Sequence, residues 1–149
     1  MRIRAWLAAT SLLLATFACS APDEGPGAES GSSEIEIEFW ALGSEGERVQ
    51  EMLPGFEKQH PGLRVRVQQI PWSAAHEKLL TAYAGDALPD VMQVGNTWIP
   101  EFVALRALAP LDARITNSAA VSRDDYFAGV LATNVVDGVT WGVPWYVDT

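Results

Sequence analysis

A chain of 149 residues, 48% hydrophobic and 19% charged, is long and apolar enough to bury a core as one domain. Its ten basic residues stand against 19 acidic ones, a net charge of −9, which argues against a nucleic-acid partner, whose phosphates need clustered Lys and Arg. The single cysteine, Cys19, rules out an intramolecular disulfide.

Residues 1–18 carry Arg2 and Arg4, then an uncharged apolar run from Ala5 to Ala18, the layout of a secretory signal. The run is shorter than the roughly 20 residues that span a bilayer, so it reads as a cleaved signal and not as a permanent transmembrane helix. Cys19 directly follows it and reads as a lipidated N-terminus. The layout resembles bacterial lipoprotein signals but departs from them at Thr16, where they usually carry leucine. The alternative is ordinary cleavage after Ala18 with Cys19 an incidental thiol, and either reading exports the chain. Without residues 1–18, eight basic residues remain against 19 acidic ones, a charge of −11. Residues 19–34 are rich in Gly, Pro, Ser and acid and lack large apolar side chains up to Ser33, so they predict a flexible tether.

The folded part is expected over residues 35–149. Ile35, Ile37 and Phe39 alternate with glutamates, the period of a strand. Ser44 with Glu47 fits a capping box, and Val49, Met52, Leu53 and Phe56 follow at helical spacing, so a helix kinked at Pro54 is expected to reach about Gln59. Leu63, Val65 and Val67 predict a second strand to about Ile70. Ser73 is the expected cap of a second helix carrying Ala75, Leu79, Leu80 and Tyr83 and ending at Gly85. The short apolar run Val91–Val94 predicts a central buried strand. Gly95-Asn-Thr97 then leads into a helix with Trp98, Phe102 and Leu105 on one side. This order predicts an α/β fold with a mostly parallel sheet flanked by helices. Beyond Leu111, Ser122 with Asp125 predicts a helix through Tyr126, Phe127, Val130 and Leu131, and Val135–Val139 predicts a tight hairpin.

Open parallel α/β sheets place ligands outside the carboxyl ends of their strands. The candidate binding residues there are Trp40, Ser44 and Glu45 after the first strand and Asn96, Thr97 and Trp98 after the third, joined by Trp145, Tyr146 and Asp148 from the last segment. Aromatic rings beside carboxylates and amides match the apolar faces and hydroxyl edges of a sugar. Taken singly, each has a structural alternative: Trp40 or Trp98 as core, Glu45 as a first-turn carboxylate, Asn96 or Thr97 as a cap. His60 and His76 lie far apart in the pattern, no cluster has metal-ligand spacing, and no phosphate-cradling motif occurs, so neither a metal nor a cofactor is implied.

Four motifs in order carry a resemblance over nearly all of residues 35–149: Phe39-Trp-Ala-Leu-Gly-Ser-Glu-Gly46, Phe56-Glu-Lys-Gln-His-Pro-Gly62, Pro89-Asp-Val-Met-Gln-Val-Gly-Asn-Thr-Trp98 and Trp141-Gly-Val-Pro144. Together they resemble the first lobe of the carbohydrate-binding class of extracellular solute-binding proteins of bacterial ABC importers. The resemblance implies a monomer that is not an enzyme, closes two lobes over a sugar or oligosaccharide and delivers it to the transmembrane subunits of an ABC permease. It places the nine candidate residues on the ligand side, and it implies a second lobe beyond Thr149, so the chain is expected to be an N-terminal fragment. The alternatives are a secreted glycan-processing enzyme using Glu45 and Asp148, and a stand-alone adhesion or sensor domain. Val143-Pro-Trp-Tyr-Val147 exposes apolar surface that monomers rarely leave open and is expected to lie under further protein.

Overall fold

The computed structural model describes residues 34–146. The signal, Cys19, nearly all of the tether, and Asp148 lie outside the described residues.

Strand β1 (Ile35–Leu42) is the centre of a three-stranded sheet ordered β2-β1-β3. It pairs in parallel with β2 (Leu63–Ile70) along its whole length, from Ile35 opposite Leu63 to Leu42 opposite Ile70. It pairs in parallel with β3 (Val91–Met92) only through Phe39 and Trp40. The α/β architecture with a parallel sheet therefore stands. The expectation of a central third strand does not: β3 is an edge strand among the described residues, two residues long, with Val91 49% exposed. Gln93 adds one further ladder bond, its backbone N–H donating to the Trp40 carbonyl at 2.8 Å.

Successive residues of a strand point to opposite faces, and this parity divides the sheet. On the even face, Glu36 and Glu38 lie opposite Arg64 and Arg66 in register, and Arg66 reaches both glutamates at 3.1 and 3.2 Å. These pairs are solvent-exposed and contribute little stability each. Further along the same face come Trp40, Leu42 and Ile70. They pack with Ala75, Leu79 and Ala82 of α2 (Trp72–Ala84) and Phe102 of α3 (Ile99–Ala104) to form the core.

Helix α1 (Glu45–Gln59) runs through Pro54 and ends at His60, as its periodicity implies, but its start differs. Ser44 has helical dihedrals (φ −81°, ψ −8°) and makes no side-chain cap; its carbonyl receives the Glu47 N–H at 3.1 Å. The capping box is absent because Ser44 is already part of the first turn. The apolar stripe is only half used: Val49 and Leu53 are half-buried, while Met52 is 71% exposed. Helix α2 begins at Trp72 and not after Ser73, since Pro71 (φ −59°, ψ 136°) presets the entry and accepts the Ala74 N–H at 3.0 Å. Its end at Gly85 agrees with the sequence.

Asn96–Trp98 form a 3-10 turn that feeds directly into α3. The single helix expected after Ser122 is two pieces. The Ser122 hydroxyl accepts the Asp124 N–H above a 3-10 turn at Arg123–Asp125; Tyr126 and Phe127 then go extended before α5 (Ala128–Ala132). A short α4 (Asp112–Thr116) has no counterpart in the sequence reading. The hairpin is present: β4 (Val135–Val136) and β5 (Val139–Thr140) pair antiparallel around Asp137 (φ 52°) and Gly138 (φ 77°), the two positive angles of a primed turn.

Candidate functional site

An open cleft of ≈ 1220 Å³ lies at the carboxyl ends of β1 and β3, walled on one side by the turns after those strands and on the other by α5 and residues 141–146. The turn after β1 is held by three hydrogen bonds from neighbouring strands. The Leu42 N–H donates to Oε1 of the buried Gln93 at 2.8 Å, the Gly43 N–H donates to the Ile70 carbonyl at 2.8 Å, and the Gly43 carbonyl accepts from the Gln69 amide. Gly43 takes φ +63°, and a Cβ there would lie 2.6 Å from the Trp72 ring and 2.7 Å from Glu45 Oε2. The chain thus bends so tightly that Glu45 and Trp72 both crowd the space a side chain at this position would need.

Glu45 Oε2 is buried and has no hydrogen-bond partner among the described residues. A buried carboxylate oxygen without a donor is costly, and the deficit is removed when a ligand hydroxyl or N–H donates to it. Beside it, Trp72 and Trp98 meet at 6.0 Å with their planes tilted by 59°. Elsewhere in the lining, Phe39 meets Trp145 at 5.8 Å, and Trp145 meets Tyr146 edge-on at 6.3 Å. Rings on both walls with a hydrogen-bonding group between them form a surface suited to a flat, hydroxylated ligand.

The second wall is braced from beneath. Asp112 of α4 accepts the Thr140 N–H at 3.1 Å and the Thr140 hydroxyl at 3.0 Å, and it pairs with Arg123, whose guanidinium also reaches the Thr140 hydroxyl at 2.9 Å. The Thr140 backbone N–H, then its hydroxyl and Arg123, hold the Asp112 carboxyl below its ordinary range against the opposing effect of desolvation. The buried Asn134 accepts the Trp141 N–H on its carbonyl at 2.9 Å, which aims residues 141–146 into the cleft. Gly142 lies close to this asparagine, and a Cβ there would sit 2.7 Å from Asn134 Oδ1, so a larger residue would displace that side chain.

Of the nine candidate residues, Glu45, Asn96, Thr97, Trp98, Trp145 and Tyr146 line this one cleft. Ser44 is exposed on the same turn but outside the wall. Trp40 is only 7% exposed, packs in the core, donates its indole N–H to Glu38 at 2.8 Å and lies under Lys78. Strand parity explains the exchange: Trp40 points to the core face, so its neighbour Phe39 lines the cleft. Asp148 lies outside the described residues. Sequence reasoning missed Phe39, Trp72 and Gln93. Parity along β1 could have found Phe39, whereas the hydrogen bond of Gln93 to Leu42 is a tertiary contact with no local signal. No group of three or more His, Cys, Asp or Glu among the described residues could hold a metal, and no helix among them is long and apolar enough to cross a membrane.

Residues 40–149 match the family model of the bacterial extracellular solute-binding proteins. Among solved structures, the chain is similar to the sugar-binding protein MalE of the phytopathogen Xanthomonas citri, with 54% identity and a TM-score of 0.72 over 75% of this chain and 28% of that one. It is also similar to the GacH receptor of Streptomyces glaucescens, solved with acarbose, with 31% identity and a TM-score of 0.63 over 73% and 28% of the two chains. A lipoprotein encoded in the oleD 5′ region of Streptomyces antibioticus is 30% identical over 116 residues, 74% of this chain and 24% of that protein. The chain spans about a quarter of the length of the curated relatives it matches, 23% and 24% for two of them. With its parallel sheet and its cleft at the strand ends, the chain belongs to the bacterial extracellular solute-binding proteins.

Proposed function

We propose that the cleft captures a sugar or oligosaccharide outside the cytoplasmic membrane for an ABC importer, with Cys19 as the lipid-bearing residue that keeps the protein near its permease. The observation that carries this reading is the buried, unpartnered Glu45 oxygen in a cleft also lined by Trp72, Trp98, Trp145 and Tyr146. The carboxylate accepts sugar hydroxyls while the rings cover the apolar faces of the pyranose. The similarity to a sugar-binding protein and to an acarbose receptor supports the ligand class, and the similarity to a lipoprotein supports the anchor. Asn96 and Thr97 offer amide and hydroxyl partners along the same wall, and Asp148 stays a candidate in the following segment. The protein acts as a monomer, and binding is by closure: a ligand stabilises whichever state contacts it from both sides. The matched family is one of solute-binding proteins and lends no support to a glycan-processing role.

Calorimetric and tryptophan-fluorescence titration with acarbose and a panel of neutral mono- and oligosaccharides tests the reading. Saturable binding is expected. Glu45→Ala should weaken it roughly ten- to hundredfold, the worth of a charged hydrogen bond, without lowering the melting temperature, because the oxygen it removes has no partner in the free protein. Trp145→Ala should also weaken binding and reduce the fluorescence change. No binding across the panel would remove the carbohydrate assignment, and unchanged affinity in Glu45→Ala would remove that carboxylate from the site.

A further inference from the structure

The indole of Trp98 has three close neighbours before any ligand arrives. Trp72 and His76 stand four residues apart on α2, so both rings leave the same face of the helix. Both reach Trp98, Trp72 at 6.0 Å and 59° and His76 at 4.9 Å and 53°. Gly95 is the third neighbour, near enough that a Cβ there would lie 3.1 Å from the indole ring. The position of His76 is itself fixed. Its Nε2 lies 2.6 Å from Glu101 Oε2 on α3, and its ring meets the edge of the fully buried Phe102 at 6.1 Å and 86°. Trp72 and Trp98 line the cleft, but His76 does not.

We infer that His76 is a positioning residue of the binding site: its ring, tied to Glu101, fixes the indole of Trp98 as a ready-made stacking face in the cleft wall. The physical reason is preorganisation. Trp98 sits at the junction of a three-residue 3-10 turn and a six-residue helix, with no side-chain cap to steady either. An indole there that is free to rotate must be immobilised when ligand binds, and one already clamped does not lose that freedom. Without His76 the indole would keep Trp72 and the tight approach of Gly95 but lose the nearer of its two ring contacts.

The consequence for affinity rests on the sugar-binding reading, but the clamp can be measured without ligand. Near-ultraviolet circular dichroism of the ligand-free full chain, followed by acarbose titration, should be compared for the wild type, His76→Ala, His76→Phe, Glu101→Ala and the double alanine variant. His76→Ala should weaken the tryptophan bands and lower acarbose affinity roughly two- to tenfold, the range of an aromatic pair. His76→Phe keeps the ring and should restore both the bands and most of the affinity. Glu101→Ala should act in the same direction but less, and the double variant should be no weaker than His76→Ala, since both act through one contact. If His76→Ala does not fold, Glu101→Ala, which alters a half-exposed side chain, and His76→Phe carry the test. Tryptophan bands unchanged in the variants, His76→Phe as impaired as His76→Ala, or fully additive losses would overturn the inference. A wild type that binds no sugar defeats the sugar reading, and the dichroism comparison then decides the clamp alone.

Discussion

Gly43 concentrates much of the site in one residue. Its positive φ is a conformation that L side chains rarely adopt, and the space a Cβ would need is occupied by the Trp72 indole and the Glu45 carboxylate. Gly43→Ala should therefore cost about 1–3 kcal/mol from backbone strain alone and should also displace Trp72 or Glu45. Chemical denaturation followed by tryptophan fluorescence checks it: a lower midpoint together with altered native-state emission is expected, and an unchanged midpoint would show that the turn has room to relax. The Phe39 and Trp40 pair shows how far single residues can be read from sequence. A tryptophan at the end of a strand, ahead of a glycine turn, looks like a ligand contact, yet the alternation that identifies the strand also assigns Trp40 to the face of Leu42 and Phe39 to the other. That information was in the pattern. The partnerless state of Glu45 Oε2 was not, because it depends on which donors the fold brings near.

Elements with a strong period were legible, and short ones were not. The parallel pairing of β1 with β2, the end of α1 and the end of α2 follow from alternation and from glycine or proline stops. The hairpin follows from Asp137-Gly138. Between Leu111 and Ala132 the helices have five residues each, too few to show a period, and their placement is set by side-chain ties instead. The main tie is Asp112 with Thr140 and Arg123, which joins α4 to β5 and so supports the second cleft wall. The folded-state pKa of Asp112 lies below its unfolded value, so the stability it contributes is present above the unfolded aspartate range and is lost as pH falls through the folded pKa. Asp112→Asn should melt at a lower temperature than the wild type at pH 7. The gap should shrink as pH drops below about 4, where the carboxylate takes up a proton first in the unfolded chain and only at lower pH in the folded one. Thermal melts from about pH 7 down to about pH 2.5, which spans the carboxylate range, check the sign; a gap that stays constant would mean that the tie acts through packing and not through charge.

At the scale of the whole molecule, the proposed sugar ligand has a consequence for the salt dependence of binding. The chain carries a net charge of −9, and among the described residues the charged ones lining the cleft are Glu45 and Asp90 against Arg114. Glu45 Oε2, the atom that most lacks a donor, is buried, so a ligand carboxylate placed beside it meets like charge in a medium that screens poorly. A neutral sugar instead brings hydroxyl donors and no charge. Its affinity should therefore change less than about twofold between low and moderate salt, because no ion pair forms and no charge is steered. A uronic-acid oligosaccharide of the same length should bind more weakly, and the difference should narrow as salt screens the long-range part of the repulsion, over a distance of about 10 Å at 0.1 M. Parallel titrations of the two sugars at several ionic strengths separate these outcomes. Tighter binding of the acidic sugar would mean that Arg114, and not Glu45, sets the electrostatics of the cleft.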